Sequence, residues 1–492
     1  MKVLFAYLHR KCVYPVFGQV DLDMEGPAGV PLGLSCVKAY AASDVKIAAG
    51  TTMLSRSFGH ALSAEDIALL IAAEKPDAAA FSCHLANIAK TMEVSRLLKR
   101  MLPGVAIVAG GAAVPKVPAR VLKFMKERPE LDAAVFGEGE VPFSRWLKNR
   151  LDGKSQKALP GLAVRAGARA LVGARADLPD LGKMPSPYLD GGVKLNVRST
   201  GFVCLETSRG CPFSCAYCAA DAAQKSLRFF PLERLRRELA WLKKSGFYGT
   251  IFVTDPIVNL RKDRAAEVFG LFAGSRSAVV MDVKPELLDD ELIALLGAIP
   301  RLNLEIGIQS SNPEALRNMG RSSDLARCAG VIRKLLAHKN ISVRLQLILG
   351  LPGDNYGTFK KTLDWALGFG KGPVVNVTDL VVLENSRLAR LAAKFSIRTD
   401  REGLVLSNSS FSAAGLLRAS RCLAAYHAVR ADNDALRKFG SACAAGAKPS
   451  ALLEKLALEL AKAGHLGRKR VLISRDGPAG KIPKGFLEKA LG

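Results

Sequence analysis

Three cysteines carry the most specific chemistry in this chain of 492 residues. Cys211, Cys215 and Cys218 lie in Thr207-Ser-Arg-Gly-Cys-Pro-Phe-Ser-Cys-Ala-Tyr-Cys218, spaced C-x3-C-x2-C. Iron–sulfur clusters are held by cysteine thiolates, and a cubane [4Fe–4S] cluster usually takes four. Three from one tight loop leave one iron without a protein ligand, open to a small molecule. Gly210 and Pro212 let the backbone curl closely around a cluster, and Tyr217 sets an aromatic beside the last ligand. A zinc knuckle would need a fourth ligand, usually from a second C-x2-C or a His pair. No such pair lies nearby.

Strand and helix patterns alternate around that loop. Apolar runs at 202–206, 251–254, 278–283, 302–308, 341–349 and 373–382 read as strands. The first delivers the cysteine loop. Pro231 opens a helix with Leu232, Leu235, Leu239 and Leu242 on one face, stopped near Gly246. Six parallel strands with crossover helices predict a partial (β/α)6 barrel of TIM type. Chemistry on such barrels collects at the carboxyl ends of strands. Asp255, Gln309, Ser310 and Gly350-Leu-Pro-Gly353 stand at those ends. Glu305 and Arg344 lie inside strands. Pointing inward they would be a charged pair that is costly unless used or paired; pointing outward they would be a solvated ion pair.

The first 150 residues show the same alternation. Strands are expected at 3–7, 45–48, 78–83, 105–109 and 133–136, with helices near 33–42, 64–73 and 87–100 and after Pro142. Ser63-Ala-Glu-Asp66 reads as a helix start with Ser63 as cap. Such alternation predicts a doubly wound, Rossmann-like parallel sheet, whose ligands sit beyond the carboxyl ends of strands. Three of those ends are informative. Ser82 and His84 offer a hydroxyl and an imidazole, Gly110-Gly111 lets a ligand approach the backbone, and Gly137-Glu-Gly-Glu140 adds carboxylates such as Glu138.

Residues 151–199 are punctuated by Gly and Pro but keep apolar residues, as a packed linker would, with a small hairpin at 162–164 and 170–172. After Glu384 the alternation ends. Stretches 413–431, 433–445 and 451–463 read as amphipathic helices, with a surface tail from Val471. The division expected is 1–150, 151–199, 200–385 and 386–492, the last mostly helical.

Composition bounds the rest. No apolar run approaches the 18 residues of a membrane span. Ten cysteines, three of them in one motif, suggest a reducing cytoplasm rather than a disulfide framework. The net charge is +26, and from Lys448 onward ten Lys/Arg face four Asp/Glu. Such a balance favours anionic partners. It is equally what a chain with freely solvated Lys and Arg carries, so a nucleic-acid partner is not expected from it.

The C-x3-C-x2-C loop resembles that of the radical S-adenosylmethionine (SAM) superfamily, in which the open iron chelates the amino and carboxylate groups of SAM. The three glycine-rich or polar strand ends of residues 1–150, ahead of that loop, resemble the cobalamin-binding domain of cobalamin-dependent radical SAM enzymes. Gly350-Leu-Pro-Gly353 resembles the family's fifth-strand glycine motif, and Asp255-Pro-Ile-Val-Asn-Leu-Arg261 the corresponding segment of cobalamin-dependent members. The resemblance implies a [4Fe–4S] cluster on Cys211, Cys215 and Cys218. It implies SAM near Tyr217, Asp255, Gln309, Ser310, Arg344 and Gly350. It implies cobalamin near Ser82, His84, Gly110, Gly111, Gly137 and Glu138. It implies an electron donor such as flavodoxin or ferredoxin, and methyl transfer from methylcobalamin to an unactivated carbon through a 5′-deoxyadenosyl radical. Cyclisation or rearrangement without methyl transfer is also found in the family. The loop His9-Arg-Lys-Cys-Val-Tyr-Pro15 lacks the Asp-x-His-x-x-Gly of other cobalamin domains, so no histidine of that kind is expected on cobalt. A tRNA methylthiotransferase shares the cysteine loop and adds a second cluster, for which Cys12, Cys36 and Cys83 would be the ligands.

Overall fold

The protein is described by a computed structural model, which covers residues 1–9, 31–154, 159–190, 193, 201–218, 226–370, 372–466, 482–483 and 485–491. The chain divides into two compact units. The first holds the N-terminal sheet and takes in Arg228–Phe252; the second holds Arg209–Leu227 and everything from Val253.

The N-terminal sheet has seven strands: β1 (Lys2–Leu8), β2 (Thr52–Phe58), β3 (Ala78–Ser82), β4 (Ala106–Gly110), β5 (Ala133–Val135), β6 (Leu162–Ala166) and β7 (Arg169–Val172). Their order is β2-β1-β3-β4-β5-β6-β7. The first five are parallel, and β6 and β7 close the edge as an antiparallel hairpin. Alternation splits the side chains between two cores. Leu4, Ala6, Leu8, Phe81 and Ile107 face one, with Ile67, Leu98 and Phe124 from helices. Val3, Phe5, Ala80 and Val108 face the other, with Phe143, Trp146 and Leu147. A sheet buried on both faces must be apolar throughout, which is why its strands read as short continuous runs.

Three local expectations change. Residues 45–48 form a helix, Val45–Gly50, not a strand, because the Asp44 carboxylate accepts from the amides of Lys46 and Ile47 and nucleates the turn. The strand follows as β2, whose mostly polar, exposed residues hide it as an edge. A helix at Pro118–Lys126, opened by its proline, was not expected. The hairpin belongs to the sheet: Arg165 donates to the carbonyls of Leu131, Met125 and Arg128 at 2.7–2.9 Å and ties it to the chain before β5. Ser63 caps its helix as expected, in a capping box with Asp66.

The remaining strands are β8 (Phe202–Leu205), β9 (Ser208–Arg209), β10 (Arg228–Phe229), β11 (Thr250–Val253), β12 (Ala278–Val283), β13 (Leu302–Gln309), β14 (Ile341–Leu349), β15 (Val374–Asp379), β16 (Arg398–Thr399) and β17 (Val405–Ser407). Six form one sheet in the order β15-β14-β13-β12-β11-β8, the sequential winding of a partial barrel. β12 to β15 are parallel. Helices Ala413–Ala431, Asn433–Ala444 and Pro449–Lys462 follow. Glu454 joins two of them to helix Tyr356–Leu367, accepting from Tyr356 Oη, Lys360 Nζ and Arg418 Nη2 at 2.6–2.8 Å. The tail expected from Val471 falls mostly outside the described residues. No described helix is long and apolar enough to cross a membrane.

Because Asp44 decides the helix that follows it, Asp44→Ala is expected to cost that turn about 1 kcal/mol. Hydrogen exchange at the Ala48 amide, which bonds Asp44 O, should accelerate about fivefold.

Candidate functional site

The cysteine loop is held through the one apolar side chain it buries fully. Ala216 is fully buried among Ala315, Met319, Leu351, Leu380 and Leu388. Its amide donates to Met319 O and its carbonyl accepts from the Leu388 amide, both at 2.8 Å. The flanking cysteines stay accessible: Cys211 and Cys215 are half-buried and Cys218 is exposed. Two glycines permit the path. Gly210 has φ +99°, and a Cβ there would land on the Ser226 carbonyl. Gly320, φ +69°, brings its backbone within 3.3 Å of Ser214 O, counted from where a Cβ would stand.

The three sulfurs fit a cluster better than a single ion. Burial raises the Cys211 pKa, the Phe213 amide lowers it, and the thiols of Cys218 and Cys215 raise it further, so the three share one electrostatic neighbourhood. Yet among the described residues only Asp432, Asp434 and Glu488 bring three ligand atoms within 4.8 Å of one another. One ion would need that closeness of the cysteines; a cubane spaces its ligands around its corners. Arg321 is bonded to Cys215 and donates to Gly307 O. Its Nε finds no hydrogen-bond partner among the described residues.

Arg321 connects the loop to the end of β13, where the backbone is strained. Gln309 has φ +69°, rare for a residue with a side chain, at an irregularity in the pairing of β13 with β14. Such strain persists where the surroundings hold it, and it collects at functional sites. Gly307 makes room: a Cβ there would meet Gln309 Nε2 at 2.5 Å and Arg321 Nη2 at 3.5 Å.

Behind this tip runs a row of polar residues. Leu302, Leu304, Ile306 and Ile308 are fully buried on one face of β13, so Glu305, Gly307 and Gln309 share the other. Register sets Asp282, Glu305 and Arg344 side by side on three strands. Gln346 donates to Glu305 Oε2, and Asn376 donates to Gln346 Oε1 at 2.9 Å. The expected Glu305–Arg344 pair exists, at 3.8 Å and almost wholly buried, so the two charges do not form an outward solvated bridge. Burial raises the Glu305 pKa, opposed by Gln346 and Arg344. Burial, then the charge of Glu305, pushes Asp282 up to about 7. Glu305 Oε1 accepts no hydrogen bond among the described residues.

Other residues read from the sequence have firm places. Asp255 is buried at 2% exposure after β11, near enough to Arg264 to act on its charge. The Ser310 hydroxyl accepts from the Asn312 amide at 3.0 Å, beside Thr362 and Asp354, and supports the turn after Gln309. Gly350 and Gly353 both have φ +99°. Asn408 donates to Gly350 O at 2.9 Å, and a Cβ on Gly353 would meet the Ala315 amide at 2.9 Å. That glycine motif therefore seats helix Pro313–Asn318. Burial raises the Tyr217 pKa, and the ring packs against the Ala216 cluster.

At the N-terminal sheet, His84 uses both ring nitrogens. The Ala86 amide donates to Nδ1 at 3.2 Å, which leaves Nε2 to donate to Tyr7 Oη at 3.1 Å. Gly111, φ +97°, lets the chain approach itself: a Cβ there would meet Cys83 O at 2.6 Å and Ser82 Oγ at 3.3 Å. Gly110 accepts from the Cys83 amide at 2.7 Å. Gly137, φ +85°, has nothing within 4 Å of a Cβ position, so its loop is open to a ligand. Glu138 is paired with Arg228. Cys36 and Cys83 are core residues, and burial pushes the Cys83 thiol up to about 12, which suits packing and not ligation; Cys12 lies outside the described residues.

Sequence reasoning missed Asp282, Arg321 and Gln346. The first and last were visible as polar residues at alternate positions of strands; Arg321 carries no such signal, twelve residues beyond Gln309.

Two tests follow. Gly210→Ala should abolish cluster incorporation, read as iron per chain after anaerobic reconstitution, because the backbone cannot keep φ +99° with a Cβ on Ser226. Asp282 holds its proton in the native state up to about pH 7, against an ordinary aspartate value of 3.8. Native protein thus binds the proton more tightly than unfolded chain, so this residue's contribution to stability falls as pH rises from about 4 to 7. Asp282→Asn should gain on wild type across that window, by about 1.4 kcal/mol for each unit of the shift, and level off above it in pH-dependent melting.

Comparison with known proteins agrees with this geometry. The B12 binding domain model matches residues 26–147, and the radical SAM superfamily model matches residues 205–366. The chain is 30% identical over 384 residues to the cobalamin-dependent radical SAM methyltransferase TokK of Streptomyces tokunonensis, covering 73% of this chain and 54% of that protein. It is equally similar to the 2-(S-pantetheinyl)-carbapenam-3-carboxylate methyltransferase of Streptantibioticus cattleyicolor, with 30% identity, 73% and 54%. The chain thus spans about half the length of the curated relatives it matches. Among solved structures, the cobalamin-dependent SAM radical enzyme OxsB with aqua-cobalamin and SAM bound superposes with a TM-score of 0.66 at 14% identity, covering 94% of this chain and 71% of that one. TsrM from Kitasatospora setae gives 0.62 at 16%, covering 80% and 76%. With a B12 binding domain ahead of a radical SAM domain and a three-cysteine loop seated on the barrel, the chain is similar to the cobalamin-dependent radical SAM enzymes.

Proposed function

We propose that this protein is a cobalamin-dependent radical SAM methyltransferase acting on an unactivated carbon. The observation that supports it most directly is the cysteine loop, pinned at Ala216 with three accessible thiols and a strained polar strand tip beside it. When bound, the cluster, SAM and cobalamin supply the one-electron and methyl-transfer chemistry. The chain supplies placement. Cys211, Cys215 and Cys218 would hold the cluster and leave one iron open. Arg321, bonded to Cys215, sets a cation where the carboxylate of SAM would approach. Gln309, on a left-handed backbone at the strand tip, and Glu305, whose Oε1 accepts no hydrogen bond among the described residues, are polar groups able to orient SAM. Asp255, Ser310, Arg344 and Gly350 shape that side. Ser82, His84, Gly110, Gly111, Gly137 and Glu138 shape the cobalamin side.

In this reading residues 1–150 bind cobalamin, 151–199 connect, 200–385 carry the radical SAM barrel and 386–492 close it. The substrate is anionic: the net charge of +26 favours one, and one relative is named for a carboxylate substrate. A flavodoxin or ferredoxin is the electron donor, and the cytoplasm, where the six described cysteines outside the cluster motif would stay free thiols, is the setting.

Anaerobic reconstitution with iron, sulfide and hydroxocobalamin tests the reading. About four irons and one retained cobalamin per chain are expected, with SAM cleavage that Cys215→Ala abolishes. About eight irons without cobalamin would replace it with a methylthiotransferase, and cobalamin-dependent turnover without methyl transfer would replace it with a cyclase or rearranging enzyme.

A further inference from the structure

The loop after β5 has an unusual build. Phe136-Gly137-Glu138-Gly139 leads from the strand into helix Glu140–Leu151. Two of the three residues between Phe136 and that helix are glycine, so an unsupported loop would lose much backbone freedom on being fixed. Gly137 adopts φ +85° with open space on its Cβ side. Gly139 is packed, since a Cβ there would come within 3.1 Å of Val37 Cγ2. Glu138 is the one side chain the loop can be held by.

That side chain is held by Arg228. Arg228 Nη2 pairs with Glu138 Oε1, and both side chains are largely buried, at 19% and 14% exposure. Arg228 is fixed in turn: its Nη1 donates to Pro179 O at 2.7 Å. One guanidinium therefore spans two partners from two nitrogens, which the single ammonium of lysine does less well. Next to it, the Phe230 amide donates to Thr207 O at 3.0 Å and secures this strand. None of these contacts consumes the open side of Gly137.

We propose that Arg228 is a positioning residue for cobalamin: through Glu138 it freezes the Gly137–Gly139 loop in its binding shape before the ligand arrives. This rests on the cobalamin reading above. It also gives Glu138 a role that the sequence did not suggest, as the handle of the loop and not as a contact to the ligand. Preorganising a loop raises affinity by removing the cost of ordering it at the moment of binding. Among the described residues Arg228 bonds Glu138 and the Pro179 carbonyl and none of the cysteine thiols, so its loss should spare the cluster.

Hydroxocobalamin titration of the cluster-loaded full chain, followed by its visible spectrum, tests this. Arg228→Met and Glu138→Gln should each weaken binding about tenfold, as loss of a charged hydrogen bond does. The double variant should be no weaker than Arg228→Met alone, because both changes release the same loop. Arg228→Lys should lie between wild type and Arg228→Met. Iron per chain should stay at the wild-type value in every variant, which shows that the protein has folded. Wild-type affinity in Arg228→Met, or additive losses in the double variant, would overturn the proposal. If wild type itself binds no cobalamin, the functional reading fails instead, and the two failures are thereby told apart.

Discussion

The site depends on two backbone hydrogen bonds to one alanine. Ala216 is bonded on both sides, to Met319 and to Leu388, and its methyl is sealed in an apolar cluster. A loop with three ligands must be rigid enough to present them and open enough to leave them accessible. Burying the residue between the second and third cysteines meets both needs. Larger residues would not fit that cluster, and a polar one would be buried without reason. The turn at Gly320 and helix Arg387–Leu391 are built around this contact, so the cysteine motif is served by chain more than a hundred residues away.

A second constraint is charge. The polar row on β12 to β15 puts two carboxyls and a guanidinium into a nearly dry setting. Burial of that kind is expensive unless the groups are paired or used. Gln346 and Asn376 pair part of it. Of what is left without a hydrogen bond among the described residues, an oxygen of Glu305 lies along β13 and a nitrogen of Arg321 belongs to the side chain beside the strained tip at Gln309. An unsatisfied buried polar atom beside a backbone in a rare conformation is a cost that a bound ligand can offset, and Arg321 carries one where the end of β13 meets the cysteine loop.

The glycines divide by use. Gly111, Gly210 and Gly353 let the chain pack against itself, whereas Gly137 opens onto free space. A glycine at a strand end is therefore weak proof of a ligand contact. Much of what resembles a binding motif is the scaffolding that makes a binding loop possible.

What the sequence determined is what local chemistry dictates. The spacing of Cys211, Cys215 and Cys218 resembles the radical SAM cysteine loop, since three thiolates in one short loop suit a metal cluster. Continuous apolar runs mark strands buried on both faces, and their spacing by helices implies parallel sheets, so β12 and β14 fell at their observed ends. Edge strand β2 escaped because exposed residues carry no such pattern, and helix Val45–Gly50 escaped because one cap, Asp44, outweighed a short apolar run. The tertiary structure alone decided which polar residues meet. Whether Glu305 faces Arg344 depends on register across strands, Arg321 reaches Cys215 only through the fold, and Glu138 meets Arg228 across 90 residues. Periodicity reports which face a residue occupies; it holds no information on which distant residue will stand opposite, because that is set by packing.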